Sequence, residues 1–160
     1  EMTTGKNIQI IEGDLNISEH AEHFLRLTAA YMADEMGGAN AWNEEQKATV
    51  IREMTNHPCA LILFAKADGK FVGICTCFYA YSTFVAKPLL NIHDIYVEDS
   101  QRGFGIGKKL VRSVEEIATK KHCGRITLEV RKDNLNARDL YKSQGFTEAS
   151  RSMLFWIKDL

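Results

Sequence analysis

The stretch Glu98-Asp99-Ser100-Gln101-Arg102-Gly103-Phe104-Gly105-Ile106-Gly107-Lys108 places three glycines at alternate positions between two apolar segments. Ahead of it, Leu89 to Val97 reads as a strand. Behind it, Ile106, Leu110, Val111, Val114, Ile117 and Ala118 share one stripe, which predicts a helix over 105–121. A glycine-rich turn from strand to helix can aim several backbone N–H groups at one phosphate, and the helix N-terminus adds partial positive charge. Lys108, Lys109 and Arg112 strengthen an anion site. Spacing separates the competing phosphate motifs. A P-loop ending in Gly107-Lys108 needs Gly at 102 and Ser or Thr at 109, where Arg102 and Lys109 stand. A dinucleotide G-x-G-x-x-G needs a third glycine at 108 or 110, where Lys108 and Leu110 stand. The pattern [RQ]-x-x-G-x-[GA] is met in full by Arg102 to Gly107. Glycines weaken a helix start, so three of them without a ligand would be a cost with no return.

Outward from this turn the chain divides regularly. Asn7 to Glu12 reads as a first strand. Asn16 or Ser18 can cap a helix whose inner face is Phe24, Leu25, Thr28, Tyr31, Met32 and Met36. Gly37-Gly38 ends it. Asn40 or Asn43 starts a second helix, which stops at His57-Pro58. Ala60 to Ala65 is a continuous apolar strand, Asp68-Gly69 a two-residue hairpin turn, and Phe71 to Tyr81 the answering strand. After the long helix, which Gly124 can terminate, Arg125 to Arg131 alternates as a strand. Asn134 or Asn136 caps a short helix to Gln144. Phe146-Thr147 and Ser152 to Lys158 read as closing strands. The order β-α-α-β-β-β-α-β-α-β-β predicts one α/β (α+β) domain over residues 1–160 with helices on both faces of a mixed sheet.

The glycine pattern resembles the acetyl-CoA pyrophosphate motif of the GNAT superfamily of N-acetyltransferases. A second segment, Asn134-Leu135-Asn136-Ala137-Arg138-Asp139-Leu140-Tyr141 with Gly145-Phe146, is similar to that family's N-x-x-A-x-x-L-Y-x-x-x-G-F. The resemblance covers nearly the whole chain. It implies the GNAT fold: a single mixed, mostly antiparallel sheet of six to seven strands. Tyr81-Ser82-Thr83-Phe84-Val85-Ala86-Lys87 looks like the lead into the fourth strand of the spermidine/spermine-type branch. That branch carries an acidic pair where this chain has His93-Asp94, so polyamine specificity does not carry over directly. The resemblance further implies that Ile95, Tyr96 and Val97 offer backbone groups to the pantetheine arm. It assigns Arg102, Gly103, Phe104, Gly105, Ile106, Gly107 and Lys108 to the pyrophosphate. Asn134, Asn136 and Ala137 fall on the other side of acetyl-CoA, the co-substrate, and Tyr141 falls at the general acid.

An amine must lose a proton before it attacks a thioester, so a base has to stand near the acceptor. Asn91, His93 and Asp94 interrupt an otherwise apolar strand that reads as buried. Such polar groups need partners, and rule-breaking in a core strand marks functional sites. An imidazole titrates near ~6.5, which suits His93 as the base. Alternation sets His93 and Asp94 on opposite faces unless a bulge intervenes. The open alternatives are His93 as a hydrogen-bonded core residue, Asp94 either in the acceptor site beside the base or as an acceptor for loop N–H groups, and Tyr141 as helix packing alone. Asp34, Glu35, Glu44 and Glu45 flank the turn between the first two helices and can attract a cationic amine or simply face solvent.

With 20 basic and 21 acidic residues the net charge is −1, which argues against binding nucleic acid through bulk charge. Glu1 to Lys6 carries no apolar run, so no signal peptide is expected, and no run reaches the ~20 residues of a membrane span. Cys59, Cys75, Cys77 and Cys123 form no C-x-x-C pair and read as reduced thiols of a cytoplasmic protein, with no metal expected. The expectation is acetyl transfer to a primary amine of a small molecule by direct attack, without an acyl-enzyme. The rivals are a protein lysine or N-terminal acetyltransferase and a non-catalytic acyl-CoA-binding module. The run Met153-Leu154-Phe155-Trp156-Ile157 can pack internally or against a second subunit of a homodimer.

Overall fold

The computed structural model describes residues 5–149 and 153–160. Strand β1 (Ile8–Glu12) is followed by helices α1 (Ser18–Ala33) and α2 (Glu44–Thr55), then by strands β2 (Ala60–Ala67), β3 (Lys70–Ser82) and β4 (Lys87–Val97). A 3-10 turn at Asp99–Gln101 leads into α3 (Ile106–Lys120), then β5 (Arg125–Leu128) and α4 (Leu135–Ser143). The strands form one sheet in chain order. Pairings from β1 to β4 are antiparallel, and β4 pairs with β5 in parallel.

The unbroken apolar run of β2 follows from cover on both sheet faces. Leu61, Leu63, Ala65 and Ala67 pack in one cluster with Ile106, Leu110, Val114 and Ala118 of α3. Ile62 and Phe64 point the other way, into a second cluster with Phe24 and Leu27 of α1, bordered by Val50, Ile51 and Met54 of α2. The turn between β2 and β3 has Asp68 at φ 49° and Gly69 at φ 82°, the left-handed pair that a tight hairpin demands. Asn43, one of the two expected caps, starts α2 through a reciprocal capping box with Gln46. Neither Asn16 nor Ser18 caps α1, whose N-cap is Ile17; Asn16 instead hydrogen-bonds the Asp14 carboxylate. His122, at φ 56°, takes the left-handed turn after α3 in place of Gly124.

The sheet has five strands among the described residues, against an expectation of six to seven. Residues 146–149 and 153–158 pair with no strand; Ser152, where the last strand was expected to begin, lies outside the described residues. Apolar patterning there was real, but a strand exists only where another strand accepts its hydrogen bonds. β5 also stops at Leu128 rather than Arg131, because its pairing with β4 ends at Ile92–Leu128. No helix among the described residues is long and apolar enough to cross a membrane.

Candidate active site

Past Ile92 and Leu128 the two parallel strands β4 and β5 no longer pair. Between them opens a cleft of about 1080 Å³. One wall carries Ile95, Tyr96 and Val97; the other carries Glu129, Val130 and Arg131. The start of α3 and the start of α4 line the same space. Parallel strands that part expose unpaired backbone groups, which is where an extended ligand can add hydrogen bonds.

The glycine turn closes one end. Gly103 sits at φ 83° and Gly105 at φ 77°, and Gly105 is the N-cap of α3. A side chain at either position would be strained there. A Cβ built on either would meet no atom within 4 Å, so the backbone faces open space. Gly107 is different: its Cβ would stand 3.1 Å from Leu140 Cδ2, so that glycine lets α3 and α4 approach. Ile106 is a buried core residue that also touches the cleft, and Lys108 lines it. Phe104 does not line it. Its ring is exposed, with the Lys6 ammonium 3.9 Å from the ring centroid, so what Phe104 can offer the turn is its backbone. Arg102 lines the cleft, but its guanidinium is engaged by protein. Its Nε donates to the Val97 carbonyl at 3.0 Å, Nη2 to Asp34 Oδ2 at 3.1 Å, and Nη1 pairs with Asp99 Oδ1 at 2.7 Å.

Opposite lies α4. Asn134 caps it, its Oδ1 accepting from the Ala137 N–H at 3.1 Å, and both residues line the cleft with Asn136. Tyr141, one turn beyond Ala137, is 6% exposed. Burial raises its phenol above the ordinary value, so it stays protonated at neutral pH. Its hydroxyl makes no hydrogen bond to the described residues, yet no buried side-chain N or O among them lacks a partner. The hydroxyl therefore opens on the cleft, which Tyr141 lines.

At β4 the register slips by one. Thr76 faces Asp94 while Cys77 faces Ile92, leaving His93 as the extra residue of a bulge. The bulge reverses which residues face which way. Leu90 and Ile92 before it, and Ile95 and Val97 after it, all join the α3-side cluster. Asp94 and Tyr96 take the α1 side, where Tyr96 lies 6.0 Å from the Tyr31 ring. His93 and Asp94 are then neighbours, Nε2 to Oδ2 3.9 Å, rather than on opposite faces. The buried setting expected for His93 is corrected: its side chain is 62% exposed, against 31% for Asp94. Burial raises the Asp94 carboxyl, partly opposed by the attraction of His93. Neither side chain lines the cleft, but Tyr31, which feels the Asp94 charge, does. Asn91 is accounted for by structure: its Nδ2 donates to Thr127 Oγ1 of β5 at 3.1 Å.

Asp34, Glu35 and Met36 complete the α1 end of the cleft. The Met36 N–H and Arg102 hold the Asp34 carboxyl below its ordinary value. Glu35 makes no ion pair among the described residues, while its carbonyl accepts from Arg131 Nη1 at 3.3 Å across the cleft. Glu44 and Glu45 stay in the exposed first turn of α2. Tyr31, Met36, Leu140 and Arg131 were missed as site residues in the sequence. Tyr31, Met36 and Leu140 sit at ordinary helical core spacing, and Arg131 reads as the last residue of a strand. The Tyr81–Lys87 segment is a hairpin tip with Phe84 fully exposed, outside the cleft.

The model of the acetyltransferase (GNAT) family matches residues 23–146. The chain belongs to this family. A thialysine N-epsilon-acetyltransferase of Bos taurus is 33% identical over 107 residues, covering 64% of this chain and 62% of that protein. The protein of the same name from Sus scrofa is 39% identical over 92 residues, 54% of each chain. The match thus spans less than two thirds of either relative. A crystal structure of a probable acetyltransferase superposes with TM-score 0.81 at 22% identity, over 95% of this chain and 99% of that one. An aminoglycoside N-acetyltransferase in complex with CoA superposes with TM-score 0.77 at 18% identity, over 99% and 100%. At such identities these structures establish the GNAT fold. Both GNAT sequence motifs of this chain, the turn from Arg102 and the helix from Asn134, border one cleft.

Proposed function

We propose that this chain is an acetyl-CoA-dependent N-acetyltransferase that acetylates a primary amine of a small molecule by direct attack. The observation that carries the proposal is the cleft between the parted strands β4 and β5, with a glycine turn at one end and the Tyr141 hydroxyl in its wall. The residues present fit the co-substrate. Open space over Gly103 and Gly105 leaves room for a pyrophosphate against backbone N–H groups at the start of α3. The unpaired side of Ile95 to Val97 suits an amide-rich pantetheine arm. When bound, acetyl-CoA supplies the activated acyl group.

The chain's own residues supply the proton chemistry. Asp94, half-buried and beside Tyr31, takes the amine proton directly or through water, with His93 next to it. Tyr141 gives its proton to the departing sulfur. Glu35 and Asp94 place negative charge toward the α1 end of the cleft, which favours a cationic amine. Cys75 and Cys77 are poor nucleophiles: their sulfurs are buried 3.6 Å apart, and that contact with burial pushes the Cys75 thiol up.

A panel of small amines, with lysine-containing and N-terminal peptides as controls, tests the reading through CoA release by purified protein. Turnover on small amines above peptides is expected. Turnover confined to peptides, or none with any acceptor, overturns it. The co-substrate site has its own test. Gly105→Leu puts a side chain into the open space at positive φ, at a strain cost of about 1–2 kcal/mol. Calorimetric titration is expected to show CoA affinity reduced at least ten-fold in a variant that still unfolds cooperatively. Gly107→Ala, pressing on Leu140, is expected to lower Tm instead. Unchanged CoA affinity in folded Gly105→Leu refutes the pyrophosphate assignment.

A further inference from the structure

Two arginines from different walls of the cleft meet on one turn. From the β4 side Arg102 reaches Asp34, Nη2 to Oδ2 3.1 Å, while the Val97 carbonyl and Asp99 hold its other nitrogens. From the β5 side Arg131 is gripped by Asp133, Nε to Oδ1 3.0 Å and Nη2 to Oδ2 2.7 Å. A two-point grip of this kind fixes the plane of a guanidinium. The remaining Nη1 donates to the Glu35 carbonyl at 3.3 Å. Asp34 and Glu35, adjacent in the chain, are thus fastened to two remote elements. Arg102 opens the glycine turn, and Arg131 and Asp133 lead directly into Asn134, the cap of α4.

The turn that they hold is itself stiff. The Gly37 and Gly38 N–H groups both donate to the Asp34 carbonyl, at 3.0 and 2.9 Å, and the Ala39 N–H donates to the Met32 carbonyl at 2.9 Å. The Met36 N–H donates to Asp34 Oδ1 at 2.9 Å. The segment lies so close on the end of α1 that a Cβ on Gly37 would stand 1.9 Å from the Tyr31 carbonyl oxygen. A stiff turn moves as one body, so two outside bonds suffice to set its place. Both arginine side chains are half-exposed, and exposed ion pairs add little to stability. Their effect falls on position.

We infer that Arg102 and Arg131 are positioning residues for the acceptor amine: they pin the Asp34–Met36 turn to the two halves of the co-substrate site. The pins set where the Glu35 carboxylate and the Tyr31 end of α1 stand relative to the glycine turn and the start of α4. Attack on a thioester needs the two reactants held in one relative placement, which such a linkage provides. The inference rests on the acetyl-transfer reading, because that reading puts the amine at the α1 end of the cleft.

Asp34→Asn and Arg131→Gln test it. Asparagine keeps an oxygen for the Met36 N–H but offers Arg102 no charge; glutamine cannot span from Asp133 to Glu35. Charge alone predicts opposite effects on a cationic amine: loss of the aspartate should raise its KM, and loss of the arginine should lower it. Positioning raises both. The acceptor KM is expected to rise about five-fold or more in each variant. The kcat and the CoA affinity, the latter by calorimetry, are expected to stay within about two-fold. In the free protein the amides of Gly37, Gly38 and Ala39 are expected to exchange about ten-fold faster than in wild type. These amides bond backbone carbonyls, so they report on the turn and not on the replaced side chain. A KM that falls in Arg131→Gln overturns the inference. So does a CoA affinity that drops in step with KM, or amides as slow as in wild type. A wild type that turns over no acceptor, with the amides released in both variants, is the failure of the acetyl-transfer reading; the exchange data then support the pinning by themselves.

Discussion

Asp94→Asn is expected to lower kcat/KM by about 10²–10⁴-fold, the usual loss for a general base, without lowering Tm at pH 7. The second half of that expectation comes from burial. Burial raises the Asp94 carboxyl in the folded protein. Its protonated form is thus the one the fold prefers. The stability it contributes is full below the unfolded carboxylate value and is lost as pH rises through the higher folded value. At pH 7 the ionised group is a net cost that asparagine removes, so Tm should hold or rise. A residue that merely supported the fold would behave in the opposite way. The acidic limb of the kcat/KM profile should lie above the ordinary carboxylate range in the wild type and vanish in Asp94→Asn. His93→Gln separates the neighbours. With the imidazole 62% exposed, its loss should cost far less activity than loss of the carboxylate. If His93→Gln removes the acidic limb while Asp94→Asn keeps it, the base is His93.

Tyr141→Phe should lower kcat by a comparable factor of about 10²–10⁴ and leave CoA affinity nearly unchanged. The ring is buried against Phe146, with centroids 5.7 Å apart, and phenylalanine keeps that packing. The lost hydroxyl has no hydrogen bond to the described protein, so no buried partner is left unsatisfied. Tm should move little. Burial raises the phenol above its ordinary value, which keeps the proton on oxygen throughout the assay range. The loss should therefore be constant with pH, with no basic limb to remove. That flat loss distinguishes Tyr141 from Asp94, whose effect titrates. Near-normal kcat in Tyr141→Phe, measured on an acceptor that the wild type uses, would leave water as the proton source.

Much of this architecture is legible in the sequence because its signals are local. The stripe of α3 from Ile106 to Ala118 has the helical period, Asp68-Gly69 has the turn chemistry, and the continuous apolar β2 can only be covered on both faces. The spacing of Arg102 to Gly107 excludes two phosphate motifs and leaves one, and the positive φ of Gly103 and Gly105 gives that choice its backbone reason. The resemblance, not the residues alone, brought Asn134 to Tyr141 to the same site.

Tertiary structure decided the rest. The bulge at His93 depends on how β4 meets β3, and no residue of β4 announces it; it turns Asp94 toward Tyr31 and leaves His93 exposed. Arg102 looked like a phosphate ligand by motif, yet Asp34, remote in sequence, holds its guanidinium at 3.1 Å. Gly107 looked equivalent to Gly105, and only the approach of α4 through Leu140 shows that it serves helix packing. The apolar pattern of Met153 to Ile157 was plain in the sequence, but pattern states only that a segment wants a partner. Whether one lies within reach is a property of the folded sheet, and among the described residues the β5 edge pairs with no further strand and the segment stays exposed.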